Sequence, residues 1–381
     1  MLDRNKKWLR PLVLRGRLLN SWIARKARKL DRAYCSELVR PAAAPVSTIS
    51  VPSFAATGTL RRMLFIADCM WEQNDLLPEL RKLCEVDVLD LRPALKTRDG
   101  SQPAQAAVEA AVEGFIKTSS HLSPDVILFY ARPALLGEQV FHLLRRRWSC
   151  PLFGMNMDDK TQFFPYGIFS AREDNYQAWA RNFDLNLTSS LVATGWYQQR
   201  GYPALYLPPG MHQAADMSMP SACEYRYGLT FVGSRKPERQ FLIKQLLDFG
   251  VPIDLFGTGW SNAKWVDDAK TIYRTSQINL GIGFASPSLA LTSLKGRDFE
   301  CPGAGACYLT TYNWELPNHF ELGKEVLCYR SMEELIEMYS YYHTRPKECL
   351  EIAQAAWRRC AREHTWEQRF RKVFQETGFK L

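Results

Sequence analysis

A short stretch in the second half of the chain, residues 293–307, combines cations, a carboxylate and small residues around one predicted helical turn. Lys295, Gly296 and Arg297 are expected at the start of that turn, where free backbone N–H groups and the helix dipole favour an anion. Glu300 follows Arg297 by three residues, so both side chains project from one helical face. This arrangement suits a nucleoside diphosphate, because the cations match the pyrophosphate and the carboxylate matches the ribose hydroxyls. It equally suits an ordinary charged helix start on a protein surface.

Two glycine-containing turns occur earlier in the chain and are predicted to reach the same edge of a sheet. Residues 231–239 leave a strand and enter a helix, and residues 256–260 form a second turn that ends in a tryptophan. Glycine lets a backbone approach a ligand closely, arginine neutralises negative charge, and an indole ring offers a stacking surface. The binding candidates in these two turns are Gly233, Ser234, Arg235, Arg239, Gly257, Gly259 and Trp260.

Candidate catalytic residues lie in the first half of the chain. Asp158 and Asp159 follow a predicted strand at 152–156, where a carboxylate is able to orient or deprotonate a hydroxyl group. Aspartate is also common as a helix or turn cap, so a purely structural role is the alternative. A weaker candidate group follows the first predicted strand, namely Asp68, Trp71 and Glu72. The histidines His212 and His364 are predicted to be structural.

Short apolar runs alternate with helical patterns through both halves of the chain. The predicted strands are 62–67, 86–90, 125–130, 152–156, 185–188, 227–232, 253–256, 276–280 and 307–311. The predicted helices include 74–83, 104–118, 135–148, 237–249, 333–342, 346–363 and 365–374. Such alternation predicts an α/β fold of two Rossmann-like domains, each a parallel sheet with helices on both faces. We expect the two domains to face each other across a cleft, with ligands at the carboxyl ends of the strands.

The positive charge of the chain is concentrated at its N-terminus. The net charge is +9, and residues 1–40 hold twelve Lys or Arg against three Asp or Glu, which accounts for all of it. The remaining sequence is neutral, so we expect no nucleic-acid partner. Apolar residues recur at helical spacing within 1–40, which predicts a basic amphipathic helical extension. It suits an anionic membrane surface, a protein contact or a solvated arm, and residues 41–58 are predicted to be a Pro/Ala/Ser linker.

Cysteine and histidine usage argues against a metal or disulfide scaffold. The chain has ten cysteines without a CxxC pair, and its six histidines form no cluster. We also find no signal peptide and no uncharged apolar run of about 18 residues. These features predict a cytoplasmic protein, with peripheral attachment at the inner membrane face as an option for the basic extension.

Four motifs together resemble the CgeB-type glycosyltransferases, which are similar to the retaining two-Rossmann (GT-B) transferases of the family-one and family-four kind. The motifs are FVGSRKPER at 231–239, DLFGTGW at 254–260, IYRTSQINL at 272–280 and LKGRDFECPGAGA at 294–306. Segments 322–326, 329–335 and 363–369 also match the closing helices of that group. The resemblance covers roughly 226–370, and over 60–220 it is only a matching strand–helix rhythm.

The resemblance implies a transferase that moves a sugar from a nucleotide-sugar donor, UDP- or GDP-linked, to an acceptor hydroxyl. It implies an acceptor domain at 59–215, a donor domain at 216–360 and a closing helix at 361–381. A carboxylate placed like Glu300 holds the ribose in such enzymes, and cations placed like Arg235 or Arg239, with Lys295 and Arg297, neutralise the diphosphate. The acceptor itself, whether glycan, lipid-linked or protein, stays open.

One position departs from the pattern of the family. Many relatives carry a second glutamate eight residues before the first, where this chain has Thr292. A catalytically inactive GT-B scaffold that binds a nucleotide or a protein partner is therefore the alternative. The two aspartates 158 and 159 lack the DxD spacing of metal-dependent transferases, so we expect no metal. A nicotinamide oxidoreductase is disfavoured, because the loop at 67–74 after the first strand has no GxGxxG.

Overall fold

The computed structural model describes residues 50–55, 58–68, 71–97, 104–164, 175–213, 218–221, 225–261, 268–285, 288 and 291–381. The predicted basic extension at 1–40 lies outside the described residues, as do residues 41–49 of the predicted linker. The described chain divides into two compact units. The N-terminal unit comprises residues 50–208 together with Trp366–Leu381, and the C-terminal unit comprises Pro209–Thr365.

The N-terminal unit is built on a six-stranded sheet in the order β2-β1-β3-β4-β5-β6, and every pair in it is parallel. Its strands are β1 Arg62–Ala67, β2 Glu85–Asp90, β3 Val126–Tyr130, β4 Leu152–Asn156, β5 Leu185–Thr188 and β6 Ala204–Tyr206. Its helices are α1 Trp71–Leu80, α2 Arg92–Thr97, α3 Ala104–Thr118, α4 Glu138–Arg147, α5 Asp159–Gln162, α6 Tyr176–Trp179 and α7 Leu191–Gln198. Short 3-10 turns lie at Pro133–Leu135 and Ala180–Asn182.

Alternate residues of the central strands pack on opposite faces of this sheet. In β1, Leu64 and Ile66 join one apolar cluster, whereas Met63 and Phe65 join another. All of them are buried. A parallel sheet covered on both faces needs such continuous apolar strands, which is why these runs were visible in the sequence.

The last helix of the chain, α13 at Trp366–Glu376, covers one of these faces. Phe370 and Phe374 belong to the same cluster as Met63 and Phe153. The N–H of Phe54 donates to the carbonyl of Thr377 at 2.7 Å, which ties the start of the described chain to its end. The C-terminal helix is therefore part of the N-terminal unit.

The C-terminal unit has a five-stranded parallel sheet in the order β11-β10-β9-β7-β8. Its strands are β7 Tyr227–Val232, β8 Asp254–Phe256, β9 Ser276–Gly281, β10 Tyr308–Thr311 and β11 Leu327–Tyr329. Its helices are α8 Pro237–Asp248, α9 Ala269–Arg274, α10 Arg297–Gly303, α11 Met332–His343 and α12 Pro346–Glu363, with a 3-10 turn at Leu316–Asn318. The two apolar clusters of this unit again contain alternate strand residues, such as Leu309 in one and Tyr308 in the other.

Local sequence signals account for several helix starts. Pro237 and Pro346 occupy the first position of α8 and α12, where a missing N–H costs nothing. Ser331 caps α11 by accepting the N–H of Glu334, and Asp268 caps α9 in the same manner. The expectation of two Rossmann-like parallel-sheet units is confirmed.

Several short elements of the structure are missing from the sequence prediction or are longer than predicted. The sequence did not predict strands β6 and β11, which have three residues each, or the short helices α2, α5, α6, α7 and α9. Helix α10 runs for seven residues through Pro302 instead of the single turn expected. Among the described helices, none is both long and apolar enough to cross a membrane.

We expect Phe370→Ala to destabilise the N-terminal unit by about 3–5 kcal/mol, because it empties the space of a fully buried aromatic side chain between α13 and the sheet. Urea denaturation followed by circular dichroism measures this loss. Gln375→Ala, on the exposed side of the same helix, is the matched control and should change the unfolding midpoint little. A Phe370→Ala protein as stable as the control would contradict this account of the core.

Candidate functional site

The two glycine turns of the C-terminal unit lie in direct backbone contact. Strands β7 and β8 are neighbours, and Gly233 donates its N–H to the carbonyl of Phe256 at 2.8 Å. Gly257 adopts a φ of +108°, and a Cβ there would lie 2.8 Å from the carbonyl carbon and oxygen of Gly233. Any side chain at position 257 would therefore collide with the facing backbone. The sequence prediction that these turns converge is confirmed.

Trp260 fixes the second turn against the first. Its indole N–H donates to the carbonyl oxygen of Gly233 at 2.8 Å, and its ring meets Phe231 edge-on at 6.1 Å between centroids. Gly259 has a φ of +86°, and a Cβ there would lie 3.1 Å from the Cβ of Arg235. The tryptophan that the sequence offered as a stacking surface thus also holds the turn in place.

Two arginines converge on the ring of Phe231. The guanidinium carbon of Arg297 lies 4.8 Å from the ring centroid and that of Arg239 lies 5.6 Å from it. A Cβ on Gly233 would come within 2.6 Å of Nη2 of Arg297 and 3.3 Å of Nη1 of Arg239. The absence of a side chain at Gly233 therefore makes room for both cations, and helix α10 contributes one of them to the turns after β7 and β8.

Neither of these cations is neutralised by a carboxylate within salt-bridge distance in the described part of the chain. Nη1 of Arg239 donates to the carbonyl and hydroxyl oxygens of Ser234, at 2.9 and 3.2 Å. Nε of Arg239 and Nη1 of Arg297 are buried and make no hydrogen bond to a described residue. Buried N–H groups of charged side chains are costly when unpaired, so this pair is suited to an incoming anion.

The electrostatics of the pair follow from its burial. Burial lowers the pKa of Arg239 to about 10, and the neighbouring charge of Arg297 acts in the same direction. Burial also acts to lower the pKa of Arg297, but Tyr273, Tyr308 and the acidic groups of α10 outweigh it and raise that pKa. Both side chains are therefore cationic at neutral pH.

Arg235, the third arginine of the predicted set, is exposed. Its Nε and Nη2 donate to Oε1 of Gln240 at 3.1 and 2.9 Å. Its main-chain N–H donates to the carbonyl of Thr258 at 2.8 Å. Arg235 therefore links the two turns through its backbone, whereas Arg239 and Arg297 form the paired charge.

The start of α10 differs from the free anion site that the sequence predicted. Gly296 is the N-cap residue as expected, but the N–H of Lys295 donates to Oδ2 of Asp298 at 2.8 Å. That carboxylate also accepts from the hydroxyl of Tyr308 at 2.7 Å, and burial raises its pKa. The expectation of a free N–H at Lys295 is thus wrong, because Asp298 occupies it.

Asp298 itself was missed by the sequence analysis. The available signal was its position three residues after Lys295, the spacing at which a side chain folds back onto a helix start. Glu300 lies one turn after Arg297 and adds negative potential near it. Thr292 pairs with Phe284 in an isolated antiparallel β-bridge.

An aromatic cluster packs against Phe299 of α10. The buried Phe299 meets the ring of His364 edge-on at 5.3 Å, and Nε2 of His364 lies 2.9 Å from the carbonyl oxygen of His319. The Sγ of Cys360 contacts the carbonyl oxygen of Phe299 at 3.7 Å. His364 therefore packs within the unit, as predicted, and the carbonyl of His212 accepts from Nζ of Lys270 at 3.4 Å.

In the N-terminal unit, the two predicted aspartates follow β4 and have opposite environments. Asp158 is exposed, and its N–H donates to Oδ1 of Asn156 at 3.0 Å. Asp159 is 1% exposed, and its Oδ1 accepts from Nδ2 of Asn156 at 2.7 Å and from the hydroxyl of Tyr197 at 2.8 Å. Asp158 therefore faces solvent, whereas Asp159 lies within a polar network below the sheet edge.

Burial raises the pKa of Asp159 to about 7, against hydrogen bonds from Thr188, Tyr197 and Asn156 that favour the carboxylate. Of the weaker candidates, Asp68 is buried after β1 and forms an ion pair with Arg132. The side chains of Trp71 and Glu72 lie outside the described part of the structure.

Comparisons with known proteins agree with this architecture. Residues 235–375 match a family model described as glycosyl transferase-like. The sucrose-phosphate synthase of Thermosynechococcus elongatus superposes with a TM-score of 0.57 at 10% identity, over 83% of this chain and 98% of that one. The Anabaena protein HepE, in a complex with UDP and glucose, has a TM-score of 0.57 at 14% identity, over 83% and 99%.

The fold is of the GT-B type. Another neighbour with this architecture is a UDP-N-acetylglucosamine 2-epimerase from Listeria monocytogenes, assigned as putative, with a TM-score of 0.50 at 14% identity over 85% of this chain and 100% of that one. A search of curated proteins returned no match. Within the described ranges, no group of three or more His, Cys, Asp or Glu is arranged to hold a metal ion.

The raised pKa of Asp159 predicts a pH-dependent stability. The folded state holds a proton on this carboxyl up to about pH 7, whereas the unfolded state releases it near pH 4. Stability should therefore fall as the pH rises from about 4 through about 7, by at most about 4 kcal/mol. Asp159→Asn should flatten the dependence of the unfolding midpoint between pH 5 and pH 8, measured by urea denaturation.

The exposed neighbour provides the matched control. Asp158→Asn changes the same charge one residue away and should leave the slope close to that of the unmodified protein. Parallel pH profiles for Asp159→Asn and the unmodified protein would show that Asp159 is ionised throughout this range.

Proposed function

We propose that this protein is a glycosyltransferase that moves a sugar from a UDP- or GDP-linked donor to an acceptor hydroxyl, with retention of configuration and without a metal ion. The observation that carries the proposal is the pair of the buried Arg239 and the half-buried Arg297 beside Gly233, with one buried N–H of each making no hydrogen bond, and neither forming an ion pair with a carboxylate, among the described residues. The glycosyl transferase-like match at 235–375 includes both arginines. The GT-B fold is consistent with this activity.

The chemistry needs what this pair supplies. When the glycosidic bond of a nucleotide sugar breaks, the diphosphate departs with increasing negative charge, and the sugar acquires oxocarbenium character. Two fixed guanidinium groups stabilise that charge and present planar donors that match phosphate oxygens. They are held before the substrate arrives, Arg239 by Ser234 and Arg297 by the packing of α10.

The glycines and the carboxylate of the same region complete the donor site. Gly233 and Gly257 present backbone without side chains, so a phosphate group is able to approach closely. Glu300, one turn after Arg297, is the residue we assign to the ribose hydroxyls, with Lys295 at the entrance. With the diphosphate charge matched by arginines, the reaction has no need for a metal cation, which is our reason for proposing metal independence.

The N-terminal unit is assigned to the acceptor. Asp158 is exposed after β4, at the sheet edge where ligands of parallel α/β sheets bind. We assign it the role of orienting or deprotonating the acceptor hydroxyl. Asp159, which is buried and hydrogen-bonded to Tyr197, would then shape the loop that carries Asp158.

We expect Arg297→Ala to weaken UDP or GDP binding by roughly 30-fold to several thousand-fold, because removing a buried charged partner costs about 2–5 kcal/mol. Isothermal titration calorimetry measures this affinity, and circular dichroism checks that the protein remains folded. Arg239→Ala should behave similarly. Lys244→Ala, which removes an exposed cation from α8, is the control and should bind as the unmodified protein does.

Arg235→Ala tests whether the exposed arginine contributes less to nucleotide binding than the pair Arg239 and Arg297. Since its guanidinium is exposed and engaged by Gln240, Arg235→Ala should reduce the affinity by less than about tenfold. Full affinity in Arg297→Ala would overturn the donor-site assignment.

We expect Asp158→Asn to lower the turnover number by about 10²–10⁴-fold without changing the affinity for UDP, because general-base assistance acts on the acceptor alone. A transfer assay with a labelled donor and an acceptor panel measures this. Glu113→Gln, an exposed change on α3 of the same unit, is the control. Undiminished transfer by Asp158→Asn would place the base elsewhere.

The alternative is an inactive GT-B scaffold that binds nucleotide only. Thr292 favours it, because the second glutamate of related transferases is missing there and the segment is paired with Phe284. Hydrolysis and transfer assays across UDP-, GDP-, dTDP- and CMP-sugars separate the two. Nucleotide binding without turnover of any donor would support the scaffold.

A further inference from the structure

An ion pair at the sheet edge of the N-terminal unit joins an exposed arginine to a buried aspartate. Nε of Arg132 donates to Oδ2 of Asp68 at 2.5 Å, and the main-chain N–H of Arg132 donates to Oδ1 of the same carboxylate at 3.3 Å. The side chain of Asp68 is 1% exposed, whereas that of Arg132 is 63% exposed. One buried carboxylate therefore accepts hydrogen bonds from both the main-chain N–H and the Nε of an exposed arginine.

An ion pair with a solvent-exposed cation contributes little to stability. What the geometry does provide is orientation, because the Arg132 side chain is fixed at Nε and loses much of its freedom. Nη1 and Nη2 of Arg132 make no hydrogen bond to any residue of the described chain, so the end of the guanidinium is available to a ligand.

The position of the pair is that of a ligand site. Strands β1, β3 and β4 are parallel neighbours, with Ala67 level with Tyr130 and Phe129 level with Gly154. Asp68 and Arg132 therefore emerge at the same edge as Asp158, from strands about 4.8 Å apart. Ligands of such sheets bind at this edge. The site lies in the unit that does not contain the arginine pair of the donor site.

We propose that Arg132 binds an oxyanion group, a carboxylate or a phosphate, on the acceptor, so that the acceptor is an acidic or phosphorylated sugar. The planar end of the guanidinium matches either group through two parallel hydrogen bonds. Binding of the anion at Arg132 places a hydroxyl of the same molecule toward Asp158, which follows the adjacent strand β4. Asp68 is a positioning residue, because its contribution to anion binding is made through Arg132. This inference rests on the proposed function in assigning the acceptor to the N-terminal unit.

The test uses the full chain and matched pairs of probes that differ in one charged group. The pairs are galactose with galacturonate and glucose with glucose 6-phosphate, and inorganic phosphate is a further probe. Binding is measured by saturation-transfer NMR titration in the presence of saturating UDP, which occupies the donor site. We expect the charged member of at least one pair to bind about tenfold or more tightly than the neutral one.

The variants determine whether Arg132 is responsible. Arg132→Gln should abolish the preference for the charged sugar. Arg132→Lys should retain part of it, because lysine keeps the positive charge but lacks the two parallel N–H donors of the guanidinium. Asp68→Asn should weaken the preference several-fold while Arg132 remains present. Arg146→Gln, an exposed arginine on α4, is the matched control and should retain the full preference.

The outcomes separate this proposal from the proposed function. Equal binding or no binding of charged and neutral probes overturns the acceptor inference, as does a preference that persists in Arg132→Gln. Failure of both UDP and GDP to bind overturns the donor site instead. In that case the same comparison, repeated in the Arg297→Ala background, still decides whether Arg132 binds anions. The uronate and phosphate pairs identify which oxyanion is preferred.

Discussion

The candidate donor site depends on the close backbone approach at Gly233. Its missing side chain lets the turn at Gly257 pack against its carbonyl group, and it leaves the space into which Arg297 and Arg239 extend. A methyl group at 233 would collide with a guanidinium nitrogen. Three segments that are distant in sequence thus meet at one residue, and the convergence of the turns after β7 and β8 with α10 follows from it.

The charge in this site is maintained by the structure around it. Two arginines share the ring of Phe231 without an ion-pair partner in the described chain, an arrangement that raises the free energy of the folded protein. The compensation comes from neighbouring contacts, in which Asp298 fixes the helix start and the cluster of Phe299 and His364 supports the helix. Such an arrangement is typical of a binding site, where an incoming anion relieves the repulsion.

At the strand ends of the N-terminal unit, the buried charged groups are carboxylates. Two carboxylates, Asp68 and Asp159, are buried, and each holds a neighbouring polar group in place instead of meeting solvent. The groups that remain exposed are Asp158 and the end of Arg132. An acid and a fixed cation at one sheet edge are the groups on which our proposal of an acceptor with both a hydroxyl and an anionic group rests.

The sequence alone determined the α/β class, most strands and the convergence of the glycine turns, because buried parallel strands and glycine turns leave strong local patterns. It missed strands β6 and β11, the short helices α2, α5, α6, α7 and α9, and the length of α10, since such short elements are stabilised by their neighbours more than by their own periodicity. Only the tertiary structure distinguished Asp158 from Asp159, and Arg235 from Arg239. These neighbours or near neighbours have the same chemistry in sequence, and their burial and partners depend on side chains from elements far along the chain.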